Sequence, residues 1–115
     1  MATILYVEDH PPAQLLMQAI IGEMTTHTLL LASSGAEAQQ VAAELRPDLY
    51  ILDLDLPDGD GLSLAPILTG THPAPVILVS AYAEAVSEIT LDYIYLAKPL
   101  DPDNVARTIK RSLAG

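Results

Sequence analysis

The sequence predicts an α/β fold: a three-layer sandwich in which a five-stranded parallel sheet carries helices on both faces. Three observations predict it. Five short apolar runs, Ile4 to Val7, Thr28 to Ala32, Leu49 to Leu54, Val76 to Val79 and Tyr93 to Ala97, recur along 115 residues with turn or helix signals between them. Most of these runs are apolar without alternation, the pattern of strands covered on both faces and so of a parallel sheet. The intervening segments carry helical spacing, and strands alternating with helices imply right-handed crossovers. A chain of this length is expected to form one domain around one core.

Taken in order, strand one ends at Glu8-Asp9. Helix one follows, because Ala13, Leu16, Met17, Ile20, Ile21 and Met24 fall on one face of a 3.6-residue period. After strand two, Gly35 to Leu45 repeats the pattern with Ala38, Val41, Ala42 and Leu45 on a stripe, and Pro47 stops the helix. Helix three is expected from near Gly61 to a point before the Gly70 to Pro75 turn. The segment Ala83 to Asp92 is the weakest helix, since Val86, Ile89 and Leu91 fit no clean stripe. The last helix has a clear start in Asp101-Pro102, an N-cap acid followed by proline at the first helical position. Arg107, Lys110 and Arg111 lie toward its negative C-terminal end, and it should run to about Leu113.

Composition narrows the function classes. Half the residues are apolar, yet Phe and Trp are absent, so the core must be built from aliphatic side chains and Met, with five Tyr as the only large rings. A formal charge of −10 repels phosphate backbones and anionic lipid, so no direct nucleic-acid or membrane binding is expected. Cysteine is absent, which removes disulfides and thiolate metal sites. No apolar run approaches the roughly 20 residues that span a bilayer, and no basic stretch precedes a hydrophobic segment at the N-terminus. The chain reads as soluble and cytoplasmic.

Open α/β sheets place their ligand sites at the C-terminal ends of strands. Glu8-Asp9 ends strand one, Asp53 strand three, Ser80 strand four and Lys98-Pro99 strand five. Each alone has a plain alternative: an acidic start for helix one, a satisfied structural acid, an ordinary serine, a surface lysine. Together they form an acid cluster that a hard cation such as magnesium or manganese would compensate, an acceptor carboxylate, a hydroxyl and a lysine. That set can perform phosphoryl transfer, with Asp53 attacking in line, Lys98 neutralising charge on the transferring oxygens and Ser80 donating to the product. The product is a hydrolysable acyl phosphate, which suits a switch.

The residues Val7-Glu8-Asp9, Asp53 through Gly61 (DLDLPDGDG), Val79-Ser80-Ala81 and Lys98-Pro99 resemble the bacterial response-regulator receiver family, over essentially the whole chain from Ile4 to Leu113. The resemblance implies a flavodoxin-like sandwich of sheet order 2-1-3-4-5 with five helices. It implies that Glu8, Asp9 and Asp53 bind Mg2+ or Mn2+ with the backbone carbonyl of Asp55, that Asp53 is the phosphoacceptor, and that Lys98 binds the phosphoryl group before a cis Lys98-Pro99 bond. It further implies a switch in which Ser80 moves toward the phosphoryl and Tyr95 turns inward, with Asp55 and Tyr82 tuning hydrolysis. A histidine kinase or histidine phosphotransfer protein is the implied partner. The chain is then no enzyme in the ordinary sense, catalysing only its own phosphorylation and dephosphorylation.

One departure stands out. Seventeen residues separate Ser80 from Lys98, fewer than is usual in the family, and Thr90-Leu91-Asp92 replaces the customary Gly-Ala turn. The fourth helix is therefore expected to be short, displaced or partly unwound, giving an atypical signalling face. Three other readings compete. A flavin-phosphate domain would need a Gly/Ser/Thr-rich loop where Glu8-Asp9-His10-Pro11-Pro12 stands. A pseudo-receiver serving only as a protein-binding module would lack the acceptor or the lysine, and both are present. A metal-dependent phosphatase would need a lid over its substrate, and His10, His27 and His72 are too scattered for a histidine metal site.

Overall fold

A computed structural model of the chain describes residues 1–81 and 93–114. The elements run β1 (Thr3–Val7), α1 (Pro11–Met24), β2 (Thr28–Ala32), α2 (Gly35–Leu45), β3 (Leu49–Asp53), α3 (Gly61–Thr71), β4 (Val76–Ser80), β5 (Ile94–Ala97) and α4 (Pro102–Ala114). The strands form one sheet of order β2-β1-β3-β4-β5, with every neighbouring pair parallel, the order that the family resemblance implies. Four helices occur among the described residues where five were expected. The expected fourth, Ala83 to Asp92, lies outside them, as do Tyr82 and the signalling face predicted there.

Alternate residues of each strand feed different layers, as the two-residue period of a strand requires. Ile4, Tyr6, Leu49, Ile51, Ile77, Val79 and Leu96 pack with Met17, Ile20 and Ile21 of α1 and Val105 and Ile109 of α4. Leu5, Val7, Tyr50, Leu52 and Leu78 face the other way, against Ala38 and Ala42 of α2 and Leu64, Ala65 and Leu68 of α3. Two cores on either side of one sheet account for the unbroken apolar runs in β1, β3 and β4. The stripe expected on α1 and α2 is only partly buried: Leu16 and Met24 are partly exposed and Leu45 is more than half exposed.

The helix starts follow local chemistry. Pro11 and Pro12 open α1, where the first N–H groups have no partner to lose. Its N-cap is His10, which makes no side-chain cap bond, so neither Glu8 nor Asp9 is the N-cap of this helix. Asp60 caps α3 by accepting from Ser63 N at 2.7 Å, and Asp101 caps α4 by accepting from Asn104 N at 2.9 Å. Helix α3 passes through Gly70 to Thr71, beyond the end expected from sequence. The reason is a buried tether from the sheet: the Tyr50 hydroxyl, in reach of two carbonyls, lies 2.7 Å from His72 O and 3.2 Å from Leu68 O, anchoring the last turn.

Candidate phosphoacceptor site

Parallel register brings the strand ends level. Val7 is opposite Leu52, Asp53 opposite Val79, and Ser80 opposite Ala97, so Glu8, Asp53, Ser80 and Lys98 end four adjacent strands. Backbone bonds carry the alignment past the strand ends, with Glu8 N donating to Ala32 O at 2.9 Å, Leu54 N to Val79 O at 3.1 Å and Lys98 N to Ser80 O at 3.1 Å. The two-residue period then sets the faces. Glu8 follows Tyr6, Asp53 follows Ile51 and Lys98 follows Leu96, all on the α1/α4 side.

Two of the three carboxylates expected as ligands, Glu8 and Asp53, meet there. Glu8 is 1% and Asp53 2% exposed, against the rule that acids avoid full burial unless paired. The pairing is Lys98: its Nζ lies 2.6 Å from Asp53 Oδ2 and 3.1 Å from Glu8 Oε1. Lys98 is therefore no ordinary surface lysine, although a third of its side chain reaches solvent. Asp55 enters through its backbone, its N–H donating to Asp53 Oδ1 at 2.9 Å. The side chains of Asp9 and Asp55 are exposed, and among the described residues no three acids or histidines converge into a ready-made metal cage. Ser80 is buried at the end of β4. Tyr95 is half-buried on the α2/α3 side of the sheet, its hydroxyl enclosed and without a hydrogen-bond partner among the described residues. The Lys98-Pro99 bond is cis.

Two carboxylates share one ammonium, and the imbalance shows in their acidities. Burial, with hydrogen bonding to Asp53, pushes the Glu8 carboxyl up to about 7. Burial also pushes Asp53 upward, but hydrogen bonds from Glu8, Lys98 and the Asp55 N–H outweigh it and hold Asp53 below its ordinary value. Desolvation lowers Lys98, yet its bonds to Asp53 and Glu8 prevail and keep it firmly protonated. The group thus holds an ionised Asp53 beside a Glu8 carboxyl whose acidity burial weakens.

Sequence reasoning missed part of this shell. The Tyr6 hydroxyl donates to Glu8 Oε1 at 3.4 Å, and burial beside Glu8 and Asp53 raises its own pKa. The signal was present, since Tyr6 and Glu8 lie two apart on a strand and so share a face. Asp58 was read only as part of a motif. Its carboxylate accepts from Gly35 N at 2.8 Å and Ala36 N at 3.0 Å, a contact across twenty-three residues that no local pattern announces.

A family model for the response regulator receiver domain matches residues 4–110. The transcriptional regulatory protein KdpE of Mycobacterium tuberculosis is 32% identical over 119 aligned residues, covering 98% of this chain and 51% of that protein. The positive alginate biosynthesis regulatory protein of Pseudomonas aeruginosa is 31% identical over 114 residues, covering 95% of this chain and 46% of that protein. The chain thus spans about half the length of these curated relatives. Among solved structures, the receiver domain of the sensor histidine kinase PA1611 from P. aeruginosa, with magnesium coordinated in its active-site cleft, superposes with a TM-score of 0.87 at 26% identity, covering 99% of this chain and 98% of that one. The chemotaxis protein CheY4 of Vibrio cholerae shares the fold, with a TM-score of 0.86 at 20% identity over 98% of this chain and 99% of that one. With the matched region spanning both cores and all four strand ends of the site, this chain belongs to the response-regulator receiver domain family of two-component signalling.

Proposed function

We propose that this chain is a phosphoacceptor: Asp53 takes a phosphoryl group from a phosphohistidine on a histidine kinase or phosphotransfer protein, in a reaction that needs Mg2+ or Mn2+. The observation that carries the proposal is the Lys98 ammonium held 2.6 Å from a buried, ionised Asp53 carboxylate at the C-terminal edge of the sheet. A charged nucleophile is buried, kept unprotonated and placed beside a cation, as phosphoryl transfer requires.

The residues present fit a hard divalent cation. Glu8 and Asp53 offer carboxylate oxygens against a single ammonium, a donor set of hard oxygens with negative charge in excess. Glu8, Asp9, Asp53 and the Asp55 carbonyl would hold the ion, which would screen the charge of the incoming phosphoryl oxygens. In the transfer, an Asp53 carboxylate oxygen forms a bond to phosphorus as the P–N bond to the donor imidazole breaks, and that imidazole leaves with its electron pair and takes up a proton. Lys98 turns from the carboxylate to the phosphoryl oxygens, and Ser80 donates a hydrogen bond to them. Water later cleaves the acyl phosphate, returning the Asp53 carboxylate and inorganic phosphate, so the chain acts only on itself. Modification shifts a conformational equilibrium read at Ser80 and Tyr95.

The test is to incubate the protein with magnesium and a small acyl-phosphate donor and read the intact mass. One phosphoryl adduct is expected, lost in Asp53→Asn and in chelator. Metal binding and adduct both absent would overturn the proposal.

A further inference from the structure

The β3–α3 loop, residues 54–60, is tied at both ends and in the middle. Asp55 N grips Asp53 Oδ1, Leu56 and Gly59 pair in an isolated antiparallel bridge, and Gly61 N donates to Leu54 O at 3.2 Å. At the tip of this turn the Asp58 carboxylate reaches the first turn of α2, one oxygen accepting from Gly35 N at 2.8 Å and the other from Ala36 N at 3.0 Å. Ser34 Oγ accepts from Glu37 N at 3.1 Å. The first three N–H groups of α2, which no helix can satisfy internally, are thus all taken by side chains, two of them by a residue from another loop.

The fit is close and electrostatically favoured. A Cβ at Gly35 would lie 3.2 Å from Asp58 Oδ1, so glycine there leaves room for the carboxylate. A carboxylate at a helix N-terminus meets the positive end of the helix dipole, and the bonds from Gly35 and Ala36 hold Asp58 below the ordinary acid range. Among the described residues no backbone hydrogen bond joins this turn to α2; the polar link is the Asp58 carboxylate.

We infer that Asp58 is a positioning residue for the phosphoacceptor site: by clamping the turn onto α2 it fixes the register of Asp55, whose N–H holds Asp53 and whose carbonyl belongs to the proposed metal shell. The inference rests on the phosphoacceptor reading for its functional consequence. Groups that orient metal ligands without touching the metal typically change affinity by about 10- to 100-fold, and Asp58→Ala is expected to weaken Mg2+ binding by at least about tenfold, with Asp58→Asn restoring part of the loss through its one remaining carbonyl acceptor.

The experiment compares Asp58→Ala, Asp58→Asn and Ser34→Ala, each checked for folding by thermal melting. Ser34→Ala removes a cap from the same helix end without touching the loop, so it controls for loosening of α2 alone. The readouts are the Mg2+ dissociation constant, the rate of phosphoryl uptake from a small acyl phosphate, and amide hydrogen exchange at Asp55, Gly35 and Ala36. The clamp predicts that Asp58→Ala weakens Mg2+ binding, slows uptake and speeds exchange at all three amides, while Ser34→Ala leaves Mg2+ binding and the Asp55 amide unchanged. Equal effects of the two alanine variants, or an Asp55 amide indifferent to Asp58→Ala, would overturn it. If wild type itself neither binds Mg2+ nor takes up phosphoryl, the phosphoacceptor reading fails, and the Asp55 amide still decides whether the clamp exists.

Discussion

Replacing Lys98 with methionine removes one charge and leaves two buried carboxylates facing each other. The ammonium lies 2.6 Å and 3.1 Å from its partners. At an effective dielectric of ~20 these contacts are worth about 5–6 kcal/mol each of gross attraction, most of which desolvation offsets. Breaking a buried ion pair from one side costs about 3–5 kcal/mol. Because 33% of the Lys98 side chain reaches solvent, the cost should fall below that range, to about 2–3 kcal/mol at pH 8. The loss must depend on pH. Without the ammonium both carboxyls rise above their unfolded values, so between about pH 4 and 8 the folded state binds more protons than the unfolded state and stability falls as pH rises. Below about pH 4 the unfolded carboxyls take up protons as well, and the deficit of the variant should close as the pH falls further, through the lowered value of wild-type Asp53. Urea unfolding of wild type and Lys98→Met across this range is the assay, and added Mg2+ should stabilise the variant more than wild type at high pH. A deficit of constant size from pH 4 to 8 would show that Lys98 acts through packing, and the electrostatic account of the site would be wrong.

Three further outcomes follow from the geometry. Glu8, raised to about 7, must release its proton to bind a cation, so Mg2+ affinity should climb with pH up to about 7 and level off above it, and Glu8→Gln should flatten the curve; isothermal titration in two buffers of different ionisation enthalpy reads the released proton. Tyr50→Phe removes a buried hydroxyl from Leu68 O and His72 O and should lower stability by about 1–2 kcal/mol in urea, with exchange in the last turn of α3 speeding most. Gly61→Ala would place a Cβ 2.5 Å from the Asp53 carbonyl oxygen, so the end of β3 must shift; a loss of about 1–3 kcal/mol and impaired phosphoryl uptake are expected, whereas Gly22→Ala, in α1 with open space around it, should gain about 0.5–1 kcal/mol and leave uptake unchanged.

Much of this was readable before any coordinates. Apolar runs without alternation demanded a sheet covered twice, and Ile4 to Val7, Leu49 to Asp53 and Val76 to Val79 fell in its three interior strands. Glu8, Asp53, Ser80 and Lys98 could be placed at strand ends because a strand stops where its apolar run stops. The pairing of Lys98 with both acids could not, since it depends on register between strands ninety residues apart in the chain. Asp9 shows the converse: its motif position implies a role, but its exposed side chain makes no ion pair among the described residues. The end of α3 was misplaced because glycine weakens a helix only when nothing else holds it, and Tyr50 reaches across from β3 to do so. Asp58 was invisible for the same reason as Lys98, a contact made by tertiary placement rather than by pattern.

The central claim is that Asp53 itself carries the phosphoryl group. Treating the donor-modified, magnesium-loaded protein with borohydride, which reduces an acyl phosphate to an alcohol, and sequencing the peptides by mass spectrometry tests it directly. The account predicts homoserine at position 53 alone, dependent on donor and metal; reduction at another acid, or an adduct that survives Asp53→Asn, would contradict it.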